Sequence, residues 1–599
     1  MSKKINKSQD SDIPETPSES TESSEKALET PSESTENNRS RKIGVLEKVK
    51  THPVQALSYL LPLFCFFLVL IVNVTFITKG YRGSFHADCT DTIMWANASY
   101  ESGHVYDENF NYACLLPFGI NIFMQIAISI FGLTMKSHVI GMMCYFVLLV
   151  VFFMLMLKEM HWDIRYILSA TAVFLAMTLS TYKMREIFWE HTIYYTLGVL
   201  FIVIGMYIYC RILNLMQKMR SLEKGSKEYR KTLIHFTVSS AVLLVFVMFT
   251  ATDGISALSI FAVPFVCGII AEWFVDSQNK IVSRKSLFTV CTVAGLGLFI
   301  FLGLKLNAYW AGDITAGYQE ANSGYSGMGD WADHVRSFPF AWIKLLGVKD
   351  LGGEKLYGKE GIINLIYLIS SLVLLVMPVI ATAFYPKYKS KDSQMIRTFV
   401  WVHWASSAIV ILGYVVGILS AADWRITPVI ATSLIIDLLF VHWAVAEKTS
   451  AGRISVLLIV PVIAVSLLNV KEVNGINGSD YKKDNNLYGV AEFLEEENLT
   501  YGYATFWNAN SLTLVSDSKV KCRCINLNEN GVWANTYQSS KKWYEGQEGQ
   551  SEYFLLLDPN EKDTFMNSSD FRVGLISRTV SREVNGTEYT AIVFDSNLF

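Results

Sequence analysis

The sequence predicts an α-helical polytopic membrane protein with about eleven membrane-spanning helices. A folded α/β domain follows the last span, and a disordered tail precedes the first. Three observations carry this. Of 599 residues, 51% are hydrophobic, 13% aromatic and only 18% charged, against about 25% charge in a soluble chain, and the mean hydropathy is +0.30. Apolar stretches long enough to cross a bilayer, about 20 residues each, recur along the chain. Lys and Arg gather in alternate loops. The 51 basic and 54 acidic residues leave a net charge of −3, which gives no basic field for nucleic acid. Nine cysteines in this length are too sparse for a disulfide scaffold.

Taken in order, residues 1–54 read as a disordered cytoplasmic tail. The run ETPSESTE stands at Glu15–Glu22 and again at Glu29–Glu36, and a Ser/Thr/Glu/Pro segment buries too little to offset the entropy of ordering it. The membrane domain spans 55–471. Its first span covers Ala56–Ile77, and the others begin near Val139, Tyr166, Tyr194, Phe236, Ile255, Leu287, Ile362, Phe399, Pro428 and Ile454. Basic groups precede the first span (Arg39, Arg41, Lys42, Lys48, Lys50). Others lie at Lys218–Lys231, at Lys280–Lys285, at Lys387–Arg397 and at Lys448 and Arg453. With eleven spans all of these fall on one side, so the rule that positive loops stay inside predicts a cytoplasmic N-terminus and an extracellular C-terminus. Residues 472–599 then form an extracytoplasmic α/β domain. Strand-like runs at Gly502–Phe506, Tyr553–Leu557 and Thr590–Phe594 alternate there with Asn/Gly/Asp turns.

The first outer loop, about 78–135, is the richest in chemistry. It reads His86-Ala-Asp88-Cys-Thr-Asp91, then a helical pattern over Thr92–Tyr100, then Ser102-Gly103 and Leu116-Pro117-Phe118-Gly119. The amphipathic run Ile120–Gly132 is short for a span and suits the membrane interface. Asp88 and Asp91 are three apart and share a face if the segment is helical. A partly desolvated carboxylate at this depth can act as a general base, although a helix cap or a solvated loop explains both residues as well.

Asp91, Ala96, Ser102-Gly103, the Pro-Phe-Gly and the interfacial helix together resemble the first periplasmic loop of GT-C-type glycosyltransferases, such as the lipid A aminoarabinose transferases and protein O-mannosyltransferases. The plan of one long acidic loop, many spans and a C-terminal external domain is also similar. The resemblance covers roughly residues 55–470. It implies a sugar moved from a polyprenyl-phosphate carrier to a cell-envelope glycan or other acceptor on the outer face, with inversion and with Asp91 as catalytic base. Thr92 stands where the aminoarabinose-transferase pattern has a second acid, which leaves Asp88 for the supporting role. A basic residue of a late outer loop contacts the carrier phosphate in many such enzymes, and Arg425 in Trp424-Arg425-Ile-Thr-Pro428 is similar to that.

The loop Lys183-Met-Arg185-Glu186-Ile-Phe-Trp189-Glu190-His191 packs several ionisable groups between two spans. Lys183 and Arg185, with His191, are candidates to hold a phosphate. Glu190 is a candidate to assist Asp91 or to bind a divalent cation. The same residues also suit a self-contained ion-pair cluster. Loop 306–361 carries Tyr309, Trp310, Tyr318, Tyr325, Trp331 and Trp342 among acids, a composition fit for sugar stacking or for an interfacial belt. Cys89 and Cys114 share the first loop and a disulfide between them is sterically possible, whereas Cys522 and Cys524, two apart on a strand, bridge poorly. No zinc pattern and no nucleotide-binding glycine loop occurs, so a structural metal is not expected and the donor points to a lipid-linked sugar. The rival class is a lipid-linked-sugar flippase or other transporter, which would carry midplane charges in broken helices. Charged residues within the spans are few, Glu272 and Asp437 being the notable ones.

Overall fold

The computed structural model describes residues 53–276, 283–389, 393–418, 422–448 and 450–599. The repeated tail and the basic residues Lys280 and Lys391 lie outside them. Leu61–Phe599 form one compact unit.

Among the described residues, ten helices are long and apolar enough to cross a membrane. They are Ala56–Thr78, Met135–Glu159, Tyr194–Ser221, Lys227–Ala251, Gly254–Val275, Arg284–Ala311, Lys359–Ala383, Ser393–Val416, Asp423–Ala446 and Ile454–Gly478. The span expected from Tyr166 takes a different form. Its helix, Ile164–Met177, has 14 residues, about 21 Å at 1.5 Å per residue, short of a hydrocarbon core of about 30 Å. It bends by 117° into Tyr182–Glu190. The cause is a polar break. The Ser180 and Thr181 hydroxyls donate to the Leu345 carbonyl at 2.8 and 3.2 Å, and Thr181 caps the next turn by accepting from the Met184 amide. Counting the bent pair as one span gives eleven, the number expected. The run after Leu116 is an 11-residue helix, Asn121–Phe131, too short to cross.

Close helix approaches rest on glycine. In Arg284–Ala311, a Cβ at Gly303 would lie 2.2 Å from the Met248 carbonyl oxygen and 2.8 Å from the Ala251 Cβ, so the backbones of this helix and Lys227–Ala251 meet through a small-residue contact. The final helix is stitched in by amides. The Asn469 side chain accepts from Tyr367 at 2.8 Å and donates to the Ala176 carbonyl at 3.1 Å, while Asn477 donates to the Val72 carbonyl at 3.0 Å.

After Gly478 the chain builds a six-stranded mixed sheet. The strands are β2 Tyr501–Thr505, β3 Lys521–Asn528, β4 Gly531–Ala534, β6 Tyr553–Leu557, β7 Arg578–Val584 and β8 Thr587–Phe594, in the order β4-β3-β2-β6-β8-β7. β2 runs parallel to β3 and β6, and the remaining pairs are antiparallel. Both faces of the centre are covered. Phe554 and Leu556 of β6 pack with the helix Asn486–Glu496, and Tyr553, Leu555 and Leu557 fill the opposite side, as period-two alternation requires. Cys522 and Cys524 share one of these cores as free thiols. Two short strands, β1 Phe110–Asn111 and β5 Ser539–Ser540, pair antiparallel and tie the first long loop to this domain.

Gly303→Leu should lower stability by about 1–3 kcal/mol through overpacking against backbone, read as a drop in melting temperature of the detergent-solubilised protein. Gly297→Leu on the same helix, where a Cβ meets nothing within 4 Å, should leave the melting point unchanged.

Candidate functional site

The first loop folds as two 3-10 turns, Gly80–Gly83 and Ala87–Thr90, followed by the helix Asp91–Ser102. Asp91 is the first residue of that helix, where a carboxylate faces the positive end of the dipole. The helix ends at Gly103, whose φ of 71° closes it in the left-handed region. Asp91 is only 5% exposed. Its Oδ2 lies 3.2 Å from His191 Nε2, and its Oδ1 is buried with no hydrogen-bond partner among the described residues.

His191 reaches Asp91 because of a local change of helical period. Glu186–Glu190 is a π-helical turn, closed by the His191 amide donating to the Glu186 carbonyl at 2.7 Å. The wider turn swings His191 out of the helix line; such bulges recur at functional sites. Burial lifts the Asp91 carboxyl above the ordinary carboxylate range, against the hydrogen bond and charge of His191. Burial alone would lower the His191 imidazole, but its hydrogen bond to Asp91 and that carboxylate's charge outweigh burial and raise it. The pair therefore holds its protons to higher pH than the separate groups would.

The other expected residues fall into two groups. Lys183 Nζ sits 2.7 Å from Glu186 and 4.6 Å from the centroid of the Trp424 ring, so the bent hairpin meets the segment that carries Arg425. Arg425 interacts with Tyr195, four residues after His191, and has no carboxylate within salt-bridge distance among the described residues. Arg425 is thus a cation with no carboxylate partner among the described residues, set beside Tyr195 at the start of the helix that follows His191. Arg185 and Glu190 are committed elsewhere. Arg185 is buried and donates to the Leu179 carbonyl at 3.0 Å and to Glu472 at 3.1 Å. Glu190 is fully buried and accepts from the Ser84 hydroxyl at 3.3 Å, with the Cys89 thiol at 3.8 Å. Cys89 and Cys114 are both buried free thiols, so the disulfide open to the first loop is not made.

Asp88 joins a cluster that includes residues given no role by the sequence. Ligand atoms of His86, Asp88 and Glu186 all lie within 4.8 Å of one another. His86 Nε2 is 3.4 Å from Glu186, and His86 Nδ1 is buried without a hydrogen-bond partner among the described residues. One imidazole and two carboxylates make a three-ligand set of the kind that leaves a catalytic cation an open position, although the Lys183 ammonium already neutralises part of the Glu186 charge. Glu190, the acid expected to be free for a cation, is not in the cluster.

The C-terminal domain also reaches this end of the bundle. Trp507, 61% exposed, brings its ring to 6.0 Å from that of His86. Tyr537 stacks obliquely against Tyr318 of the loop at 306–361, 5.6 Å between centroids. In that loop Tyr309 and Tyr325 stand in the open, while Trp342 is core, its indole donating to the Ser371 carbonyl at 2.9 Å. Tyr501, Tyr503 and Trp543 of the domain are core as well. Tyr537 carried no positional signal in the sequence, because only the docking of the sheet against the loop at 306–361 gives it a neighbour there.

No family model and no curated protein matches the chain. Among solved structures it is similar to the apo oligosaccharyltransferase of Archaeoglobus fulgidus, with 10% identity and a TM-score of 0.42 over 77% of this chain and 64% of that one. The same archaeal enzyme, AglB, in complex with an inhibitory peptide and a dolichol-phosphate gives 9% identity and a TM-score of 0.40, again over 77% and 64%. ArnT from Cupriavidus metallidurans bound to undecaprenyl phosphate gives 10% identity and a TM-score of 0.36, over 90% of this chain and 98% of that one. The chain thus spans under two thirds of the length of the archaeal enzyme.

Proposed function

We propose that the chain is a membrane glycosyltransferase of the GT-C type that moves a sugar from a polyprenyl-phosphate carrier to a glycan or other hydroxyl-bearing acceptor on the extracytoplasmic face. The observation that carries this reading is a buried carboxylate, Asp91, held by His191 with its other oxygen making no hydrogen bond among the described residues, at the bundle end that also carries Arg425, which has no carboxylate partner among the described residues. A base and an uncompensated cation are the two halves of a displacement at an anomeric carbon. The acceptor oxygen forms its bond to that carbon while its proton passes to Asp91 Oδ1. The bond from the carbon to the carrier phosphate breaks, and its electron pair leaves on the phosphate oxygen, stabilised by Arg425 with Lys183 close by. One displacement of this kind inverts the anomeric centre. Trp507 and the open tyrosines of the loop at 306–361 offer faces for sugar rings. The orientation with a cytoplasmic N-terminus puts all of these groups outside.

The alternative, transport of a lipid-linked sugar, has one observation in its favour. Asp437 lies wholly buried within Asp423–Ala446 with neither carboxylate oxygen hydrogen-bonded among the described residues, and such a group within a span marks a pathway by default. Among the described residues one bent helix pair is found, not the two broken helices expected of a transport site, and the density of polar groups at the bundle end favours transfer. Reconstituted vesicles separate the two: movement of carrier-linked sugar with no acceptor present and no glycosidic bond formed identifies the transporter.

A divalent cation bound at His86, Asp88 and Glu186 would supply a Lewis acid for the departing phosphate. If the three residues serve this purpose, Mn²⁺ or Zn²⁺ should raise the melting temperature of the purified protein. Glu186→Gln should abolish that rise, and an unchanged rise in the variant would remove the site.

Asp91→Asn should reduce transfer from undecaprenyl-phosphate-linked radiolabelled sugars by about 10²–10⁴-fold with the membrane level of protein unchanged. Wild-type turnover in this variant would refute the base assignment. For the native protein, the rate should fall on acidification with a midpoint above the ordinary Asp value of about 3.9, because the base works ionised and burial lifts its pKa. Arg425→Ala should weaken use of the carrier-linked donor far more than Arg425→Lys does.

A further inference from the structure

Gln538 stands at the joint between the C-terminal domain and the first loop, and its geometry is unusual. It is wholly buried, and its φ of +52° is a left-handed conformation that non-glycine residues seldom hold without compensation. Its backbone is pinned from both sides. The Asn510 side chain donates to its carbonyl at 3.2 Å, and the next two residues, Ser539 and Ser540, are the strand β5 paired to Asn111 and Phe110.

The side chain is fixed as well. Trp95 Nε1 donates to Gln538 Oε1 at 2.5 Å. An indole N–H is a donor only, so the amide oxygen must face Trp95 and the NH₂ must face elsewhere. Trp95 follows Asp91 by four residues in the helix Asp91–Ser102, which places the two on one helical face a turn apart. The carboxylate of Asp91 is the acceptor available to an amide set on Trp95, and Gln538 interacts with it directly. Gln538 Nε2 and Asp91 Oδ1 are both buried, complementary in donor and acceptor character, and each without a hydrogen-bond partner among the described residues.

We propose that Gln538 is a positioning residue for Asp91, its side-chain amide spanning from Trp95 to the carboxylate so that docking of the C-terminal domain sets the base. This rests on the assignment of Asp91 as the base. His191 then orients one carboxylate oxygen and Gln538 limits the swing of the other, leaving its remaining lone pair for the acceptor proton. The left-handed backbone explains why the amide arrives at this spot: a residue in ordinary extended conformation would turn its side chain away from the Asp91–Trp95 face.

The test uses the full chain with Gln538→Gly, Gln538→Asn and Asp91→Asn, alone and combined. Glycine accepts the left-handed backbone freely and asparagine tolerates it, so neither variant strains the turn. Glycine removes the amide, and asparagine is a methylene too short to span both partners. With undecaprenyl-phosphate-linked radiolabelled sugars extracted from the host membrane, both should lower kcat by about 10-fold or more, as misplacement of a reacting group does, with KM changed less than about twofold. The melting shifts of Gln538→Gly and Asp91→Asn should be non-additive, the double variant falling less than the sum, as for residues in contact. Wild-type kcat in either folded Gln538 variant, or strictly additive melting shifts, overturns the role of Gln538. Additive shifts beside an inactive Asp91→Asn would do so while leaving the base assignment intact, whereas an active Asp91→Asn removes the base itself.

Discussion

A chain that crosses hydrocarbon many times has to satisfy its polar groups within itself, because no water is present to take them. This constraint decides where chemistry can sit here. The long helices spend their side chains on apolar contact and on amide stitches such as Asn469 with Tyr367 and the Ala176 carbonyl. Apart from Asp437 within Asp423–Ala446, the ionisable groups that pair with one another gather at the ends. At one end the first loop and the bent hairpin close on each other through Asp91 and His191, and the positions of Lys183, Glu186 and the His86 cluster follow from that closure. At the opposite ends of the helices, Glu272 and Asp276 are answered by Arg397 and Lys285, two acids and two bases in a neutral network that holds helices together.

Much of this was legible in the residues. Apolar length and basic-loop bias gave the span count, and the short run after Leu116 was separable from a span because 11 helical residues cannot cross. The continuous apolar run Tyr553–Leu557 between polar turns announced the buried strand β6. Asp91 was singled out by its place just past the first span, although a helix cap explained it as well. What was hidden depended on geometry that no local pattern encodes. The helix from Ile164 looks like a span by hydropathy, yet Ser180 and Thr181 capture the Leu345 carbonyl and turn the chain, an event set by a loop some 165 residues away. The loop Lys183–His191 read equally well as a phosphate cradle and as a cluster of ion pairs. Both of its cations are ion-paired, Arg185 with Glu472 and Lys183 with Glu186. Gln538 was unreadable, for nothing in Asn-Thr-Tyr-Gln-Ser-Ser distinguishes it from any polar turn.

The π-helical turn at Glu186–Glu190 shows how a small irregularity serves the site. Continued regular helix would carry the ring of His191 past Asp91. One wider turn corrects the direction at the cost of a less regular hydrogen-bond ladder. A second such turn, Leu258–Ala262, lies where Ile260 and Phe261 pack on Gly198 and Gly205, and there it serves packing alone.

The pairing of Phe110–Asn111 with Ser539–Ser540 has a temporal side. More than four hundred residues separate the two partners, so a ribosome making this chain releases the first loop long before the strand that completes it exists. Through most of synthesis the acidic loop waits beside the lipid without its lid. The pairing can form only after the chain has been made as far as Ser540, so the first loop gains this partner strand well after it has itself emerged.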